Sequence, residues 1–204
     1  MAGSDVKAVF ITADTNAVDA ASVAAAARPN TDFTIDGTDA SAGTATFAAG
    51  RIITATTAGT SDNGKTVTIT GTDVNGDAQT ETITLSGVAT AHPGTKYFKT
   101  VTAASASSQP AGNVSLGMAE DAAEVIFAGR SRLKGAYIVN SGTAGTLDFL
   151  TTSPTGTSIM KLGTVASATV TRDVHIPEEG VLFTGGVYVQ YTVATFTTIT
   201  AFHA

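Results

Sequence analysis

The chain has 204 residues, enough for one large β domain or two of about 100 residues each, and it carries a formal net charge of −6. Eleven Lys and Arg, mostly scattered, stand against seventeen Asp and Glu. That balance excludes a nucleic-acid footprint, which needs clustered cations to neutralise phosphates, and the absence of cysteine excludes disulfides and thiolate metal sites.

Hydrophobic residues make up 43% of the chain but aromatic residues only 6%, so a core must be assembled mainly from Ala, Val, Ile and Leu. Charged residues reach only 14%, against roughly 25% in an average soluble domain. A weakly charged surface rich in Thr and Ser suits a sheet protein whose faces other subunits can cover. The N-terminal MAGSDVKAVFITADTN lacks a basic segment followed by an apolar one, and no apolar run is long enough to span a membrane. The expectation is a soluble product of the cytoplasm made without a signal peptide.

In chain order, VKAVFITA reads as a short strand. Residues Thr15 to Ala27 are Ala-rich and closed by Arg28-Pro29-Asn30; they fit either a short helix or an extended arm laid on a neighbouring subunit. Strands are then predicted at Asp32–Ile35, Thr44–Phe47 and Arg51–Thr57. The clearest pattern follows, in Lys65–Gly87. Val67 and Ile69 alternate with threonines, Ile83 and Leu85 do so on the return, and Asp73-Val74-Asn75-Gly76-Asp77 supplies a turn that tolerates positive φ. Asn63-Gly64 is a second hairpin signal.

Further strands are predicted at Lys96–Ala103 and Asn113–Gly117. The small, acidic Gly117–Ala123 reads as a domain junction. Beyond it come Glu124–Ala128, Arg132–Asn140, Thr146–Thr151, Ser158–Leu162, Ala168–Ile176, Val181–Phe183, Gly186–Val193 and Phe196–Phe202. The connections are too short for parallel crossovers. The predicted class is all-β: two tandem, mostly antiparallel β-sandwich or jelly-roll-like domains at 31–118 and 119–204, preceded by an N-terminal arm or short helix at 1–30.

Residues capable of chemistry are present but not grouped. His92, His175 and His203 lack the partner spacing of a zinc signature, and no nucleophile elbow surrounds any serine. Asp73, Asn75 and Asp77 have the alternating spacing of a calcium loop, but Ala78 and Thr84 occupy the positions that need Gly and Glu, so turn chemistry is the preferred reading. Glu178 and Glu179 are adjacent and so point apart on an extended chain, which disfavours a glycosidase pair. Tyr188 and Tyr191 are expected on opposite faces of one strand, and no Trp is present to form a sugar platform. Arg130, Arg132 and Lys134 form the one basic cluster, read as a solvated strand end or as partners of Glu120, Asp121 and Glu124. No phosphate loop precedes a helix. No catalytic, cofactor-binding or metal-binding residue is therefore assigned.

The run DNGKTVTITGTDVNGDAQTETITLSG, followed by KYFKTVTAASASS and AGNVSLGM, resembles a β module of tailed-bacteriophage virion structural proteins. Gly71, Thr72, Asp73, Gly76, Glu81, Thr82, Phe98, Lys99, Val101, Gly112, Asn113 and Gly117 carry the resemblance, which covers roughly Thr31 to Met118. RLKGAYIVNSGTAGTLDFLTT and HIPEEGVLFTGGVYVQYT, with Gly180, Val181 and Phe183 leading into the last hairpin, look like a second small module of such particles. The resemblance implies a non-enzymatic virion component, foremost a capsid decoration or cement protein bound to the major capsid protein or other virion subunits. It implies a homo-oligomer, with a trimer as the first expectation, and neither a nucleic-acid nor a membrane partner. A tail, connector or fibre-associated subunit is the alternative, and an adhesin-like surface module ranks below both.

Overall fold

The computed structural model describes residues 5–87 and 89–204. Among them every regular element is a β-strand, the ladders are antiparallel, and no helix is long and apolar enough to cross a membrane. The chain forms two compact units, one comprising Val18–Glu120 and the other the chain up to Ala17 together with Asp121–Ala204. Residues set apart in the sequence as an N-terminal segment are divided between them. Strand β1 (Lys7–Ile11) belongs to the second unit and β2 (Asp19–Ala27) to the first.

The Ala-rich stretch thus takes the extended alternative. Helix propensity of alanine is a weak preference, and pairing overrides it. β2 buries Val23 and Ala24 completely and pairs with Val114–Met118 of its own chain.

In the first unit β2 is followed by β3 (Ala40–Ser41), β4 (Thr44–Thr57), β5 (Thr66–Thr72), β6 (Ala78–Thr84), β7 (Ala91–Ala106) and the first half of β8 (Val114–Phe127). The neighbours run β8-β4-β7-β5-β6, with β2 on the far side of β8 and β3 on β4. The strand expected at Asp32–Ile35 is reduced to one bridge, Asp32 to Ser105. Its backbone instead links two strands. The Phe33 amide donates to Ala104 O (2.9 Å) and the Ala106 amide to Thr31 O (2.6 Å), while the Gly37 and Asp39 amides donate to Val23 O and Ser22 O in β2. These bonds join β7 to β2, so β7, β4, β8 and β2 close a ring. Inside lies one cluster that includes Val23, Phe33, Phe47, Ile53, Val67, Ile69, Ile83, Leu85, Phe98 and Leu116. The cluster draws on the three Phe side chains and otherwise on Val, Ile, Leu, Ala and Met.

Two sequence expectations give way here. Thr44–Phe47 and Arg51–Thr57 are one continuous β4, bent where its register against β7 shifts between Thr46 and Arg51. Asn63-Gly64 makes its turn, with Gly64 at φ 78°, but not a hairpin of neighbours, because β7 inserts between β4 and β5.

The second unit is a sandwich. One sheet has the order β1-β15-β9-β12, with β13 also on β9: β9 spans Ser131–Asn140, β12 Thr171–His175, β13 Val181–Phe183 and β15 Phe196–His203. The other holds β11 (Thr157–Gly163), β10 (Thr146–Thr151), β14 (Val187–Thr192) and the Asp121–Phe127 half of β8. Leu133, Ala136, Ile138, Ile199 and Ala201 are buried from one side, and Leu147, Phe149, Val189 and Tyr191 from the other. Tyr191 meets Phe196 edge-on at 6.0 Å across the layers. Gly117–Ala123, expected as a junction, is not a loop. It lies inside β8, whose Met118, Ala122 and Ala123 are buried and so need strand geometry, and the division between the units falls within it.

Candidate docking surface

The residues that carry the sequence pattern serve the backbone. Val67, Ile69, Ile83 and Leu85 form the buried face of the β5–β6 hairpin, and Thr68 faces Thr82 across it at 3.2 Å. Gly71 lies against β7, where a Cβ would run into the Thr100 carbonyl oxygen. Asp73 is a turn residue: its Oδ1 accepts from the amides of Asn75 (2.8 Å) and Asp77 (3.0 Å), and its Oδ2 from the Asn75 side chain. Both oxygens of the would-be calcium ligand are engaged within the turn.

Glu81 points inward. Its carboxylate accepts from the Thr95 amide (2.6 Å), the Thr95 hydroxyl (2.9 Å) and the Lys96 amide (3.3 Å), holding the corner at which β7 bends. Gly94 leaves room for that carboxylate, since a Cβ there would strike it. A second carboxylate, Asp62, is fully buried and accepts from the Ala111 amide and Lys65 Nζ (3.0 Å). Burial pushes its pKa up, but the amides of Ala111 and Gly112 and the ammonium of Lys65 outweigh that and hold it below the ordinary value.

The three histidines lie apart. His92 is half-buried with Nε2 unpaired, and His175 is exposed at the end of β12. His203 is buried, stacked on Phe127 at 5.1 Å, with Nδ1 3.1 Å from Ser131 Oγ. Burial first, and the charge of Lys7 second, lower its pKa. No carboxylate hydrogen-bonds its imidazole among the described residues, so Ser131 and His203 are a pair and not a triad. Tyr188 and Tyr191 are both buried, and the Tyr191 hydroxyl accepts from the Asp14 amide, so neither ring is a sugar platform. Among the described residues no three His, Asp or Glu side chains are grouped to hold a metal ion.

The basic cluster has different partners from those expected. Arg132 pairs with Glu179 at 3.0 Å, and Lys134 Nζ donates to Glu178 O. The reason is topological. After β8 the chain crosses to the opposite sheet, and β13 on β9 brings the 178–180 turn beside Arg132 and Lys134. Asp121 instead accepts from Thr192, and Glu124 from the Val125 amide.

The outer faces of the sandwich differ in chemistry. Ile11, Ile199 and Ala201 of β1 and β15, with Ala136 and Ile138 of β9, point inward, so their strand neighbours point out. One outward row reads Phe10, Thr200, Tyr137, Asp173; the next reads Ala8, Phe202, Gly135, His175. Phe10 is 64% exposed, Val6 53% and Tyr137 36%. Gly135 floors a depression of about 470 Å³ walled by Val6, Phe202, His175 and Asp173. On the other sheet the outer depression, about 220 Å³, is lined by Asp121, Asp148, Lys161, Gln190 and Thr192, and Asp148 pairs with Lys161 at 2.7 Å. The first face mixes exposed Val6, Phe10 and Tyr137 with Lys134, Asp173, His175 and Glu178 around its depression; the second, where Ile159 is also exposed, pairs its Asp148 with Lys161.

No family model, curated protein or solved structure matches the chain.

Proposed function

We propose that the chain is a non-enzymatic structural subunit of a tailed-phage virion, a capsid decoration or cement protein that clamps adjacent coat subunits. The observation that carries the reading is the pair of adjacent outward rows that holds Phe10 with Tyr137 and, beside them, Phe202, on a sheet opposite one whose outer depression is lined by polar residues. Large apolar side chains in water on one sheet face mark a surface meant to be covered. Fully burying one such side chain contributes about 1.5–3 kcal/mol, so a few per copy give weak single contacts that repetition over a shell multiplies. The phage assignment rests on the resemblance around Gly71, Asp73, Gly76 and Glu81. That these residues hold turns and corners accords with a module used as a building block.

Oligomerisation, with a trimer as the first expectation, would place several such faces on one shell site. Purified particles imaged by cryo-electron microscopy test the reading. Copy numbers that match the coat subunits support the shell, and a handful of copies on the tail axis refutes decoration in favour of a tail or connector role. In a reconstituted assay, Phe10→Asp with Tyr137→Asp should abolish capsid binding while leaving the far-UV spectrum unchanged. Undiminished binding by that variant, or a wild-type monomer that binds no capsid, overturns the proposal.

A further inference from the structure

Asp5, Lys7, Arg130, Ser131 and His203 line one depression of about 320 Å³ at the end of the sandwich where β8 turns into β9 and β15 closes, and Phe127 forms its wall. We infer that this depression binds a small oxyanion, a carboxylate or phosphate group, held by Lys7 and Arg130 above the Ser131–His203 pair. Its volume is within the range of small-ligand sites, about 300–1,000 Å³.

The cations are the first argument. Arg132, Lys65 and Lys161 each have an acidic partner at 3.0 Å or less. Lys7 and Arg130 have none within ion-pair distance among the described residues, although both are exposed and converge on the same depression. Asp5 is the one acidic side chain lining it, and Ala204, whose carbonyl oxygen accepts from Ser131 Oγ, completes the rim. Arg130 is also the member of the basic cluster that the 178–180 turn leaves unpaired.

The floor is the second. Ser131 and His203 are each more than nine-tenths buried, and Ser131 Oγ lies 3.1 Å from His203 Nδ1 and 3.1 Å from Ala204 O. Phe127 stacks on the ring, so the polar pair is fixed before anything binds. A preorganised polar floor loses little entropy on binding. Lys7 lies directly opposite His203 in the β1–β15 register, which ties the cation to the imidazole.

This juxtaposition has a consequence that can be read out. Lys7 disfavours the protonated imidazole, and a bound anion would offset that charge. Filling the site must therefore raise the proton affinity of His203, and by linkage the anion must bind more tightly as His203 protonates.

The test follows the imidazole resonances of the full chain by NMR from about pH 4 to about pH 8, with ionic strength matched in chloride, inorganic phosphate or acetate. His175, exposed and not among the residues that line the depression, is the internal control. The inference expects the His203 midpoint to rise saturably in phosphate, acetate or both, the His175 midpoint staying fixed, with the arm that responds naming the anion. It also expects Arg130→Ala, an exposed turn substitution that spares the core, to weaken the response about tenfold or more. A His203 midpoint equal in all three salts refutes the site, as does a response that Arg130→Ala leaves intact.

Discussion

The corner of β7 depends on one side chain, and Glu81→Ala measures that dependence. The substitution deletes the acceptor of the Thr95 amide (2.6 Å), the Thr95 hydroxyl (2.9 Å) and the Lys96 amide (3.3 Å). A hydrogen bond to a charged group contributes about 1.5–3 kcal/mol, and a buried donor stripped of its partner costs about 1–3 kcal/mol. Thr95 and Lys96 are themselves exposed, so water reaches their amides in the variant. With that discount the loss is about 2–4 kcal/mol, the size reserved for broken buried networks. Urea unfolding followed by far-UV circular dichroism should show it as a midpoint lowered by about 1–2 M at unchanged slope.

Two companion variants isolate the cause. Glu81→Gln keeps one acceptor oxygen and should lose about half as much. Gly94→Ala puts a Cβ into the carboxylate, so it should destabilise the wild type yet be nearly neutral in the Glu81→Ala background. A Glu81→Ala midpoint within about 0.3 M of wild type, or strict additivity with Gly94→Ala, would refute the account of the corner.

Asp62 has its folded pKa lowered from 3.8, so its stabilisation is present above pH 3.8 and lost as pH falls through the folded value. Asp62→Asn should flatten that acid limb in melts across pH. His203 is also lowered, from 6.5, so the unfolded chain binds its proton first; stability is full above pH 6.5 and declines below it. His203→Gln should remove that slope, and an unchanged slope would count against a buried neutral imidazole. Asp73→Ala, which frees two turn amides, should cost about 1 kcal/mol in chemical unfolding, and wild-type melts in calcium and in chelator should superimpose.

The hairpin at Thr66–Thr84 was legible because its determinants are local. Alternation decides which of Val67, Ile69, Ile83 and Leu85 are buried, and Asp73 and Gly76 close the turn with neighbours no more than four residues away. The elements that were not legible depend on distant partners. Nothing in Asn63-Gly64 announces that β7 will separate β4 from β5. Asp19–Ala27 becomes a strand only because β8 is there to pair with it, against the local preference of its alanines. Arg132 finds Glu179 because β13 joins β9, a pairing made 47 residues away. Likewise Ser131 and His203, separated by 72 residues, become a pair only through the alignment of β9 and β15.

The candidate docking face occupies a middle position between these cases. In Lys7–Ile11 both phases of the strand are apolar, Val9 and Ile11 on one and Ala8 and Phe10 on the other. Periodicity alone reads such a run as a strand buried on both sides. The structure places β1 at the margin of its sheet with one phase open to water, and Phe10 there shares its row with Tyr137 while Ala8 shares the next with Phe202. Most of these strands hide one phase and expose threonines on the other, so β1 departs from a rule that the chain otherwise keeps. Topology is what turns Phe10 outward. Under the proposed function a coat subunit covers that phase, and the Asp148–Lys161 pair in the outer depression of the opposite sheet makes the β1–β15 side the one on which such a subunit gains most by binding.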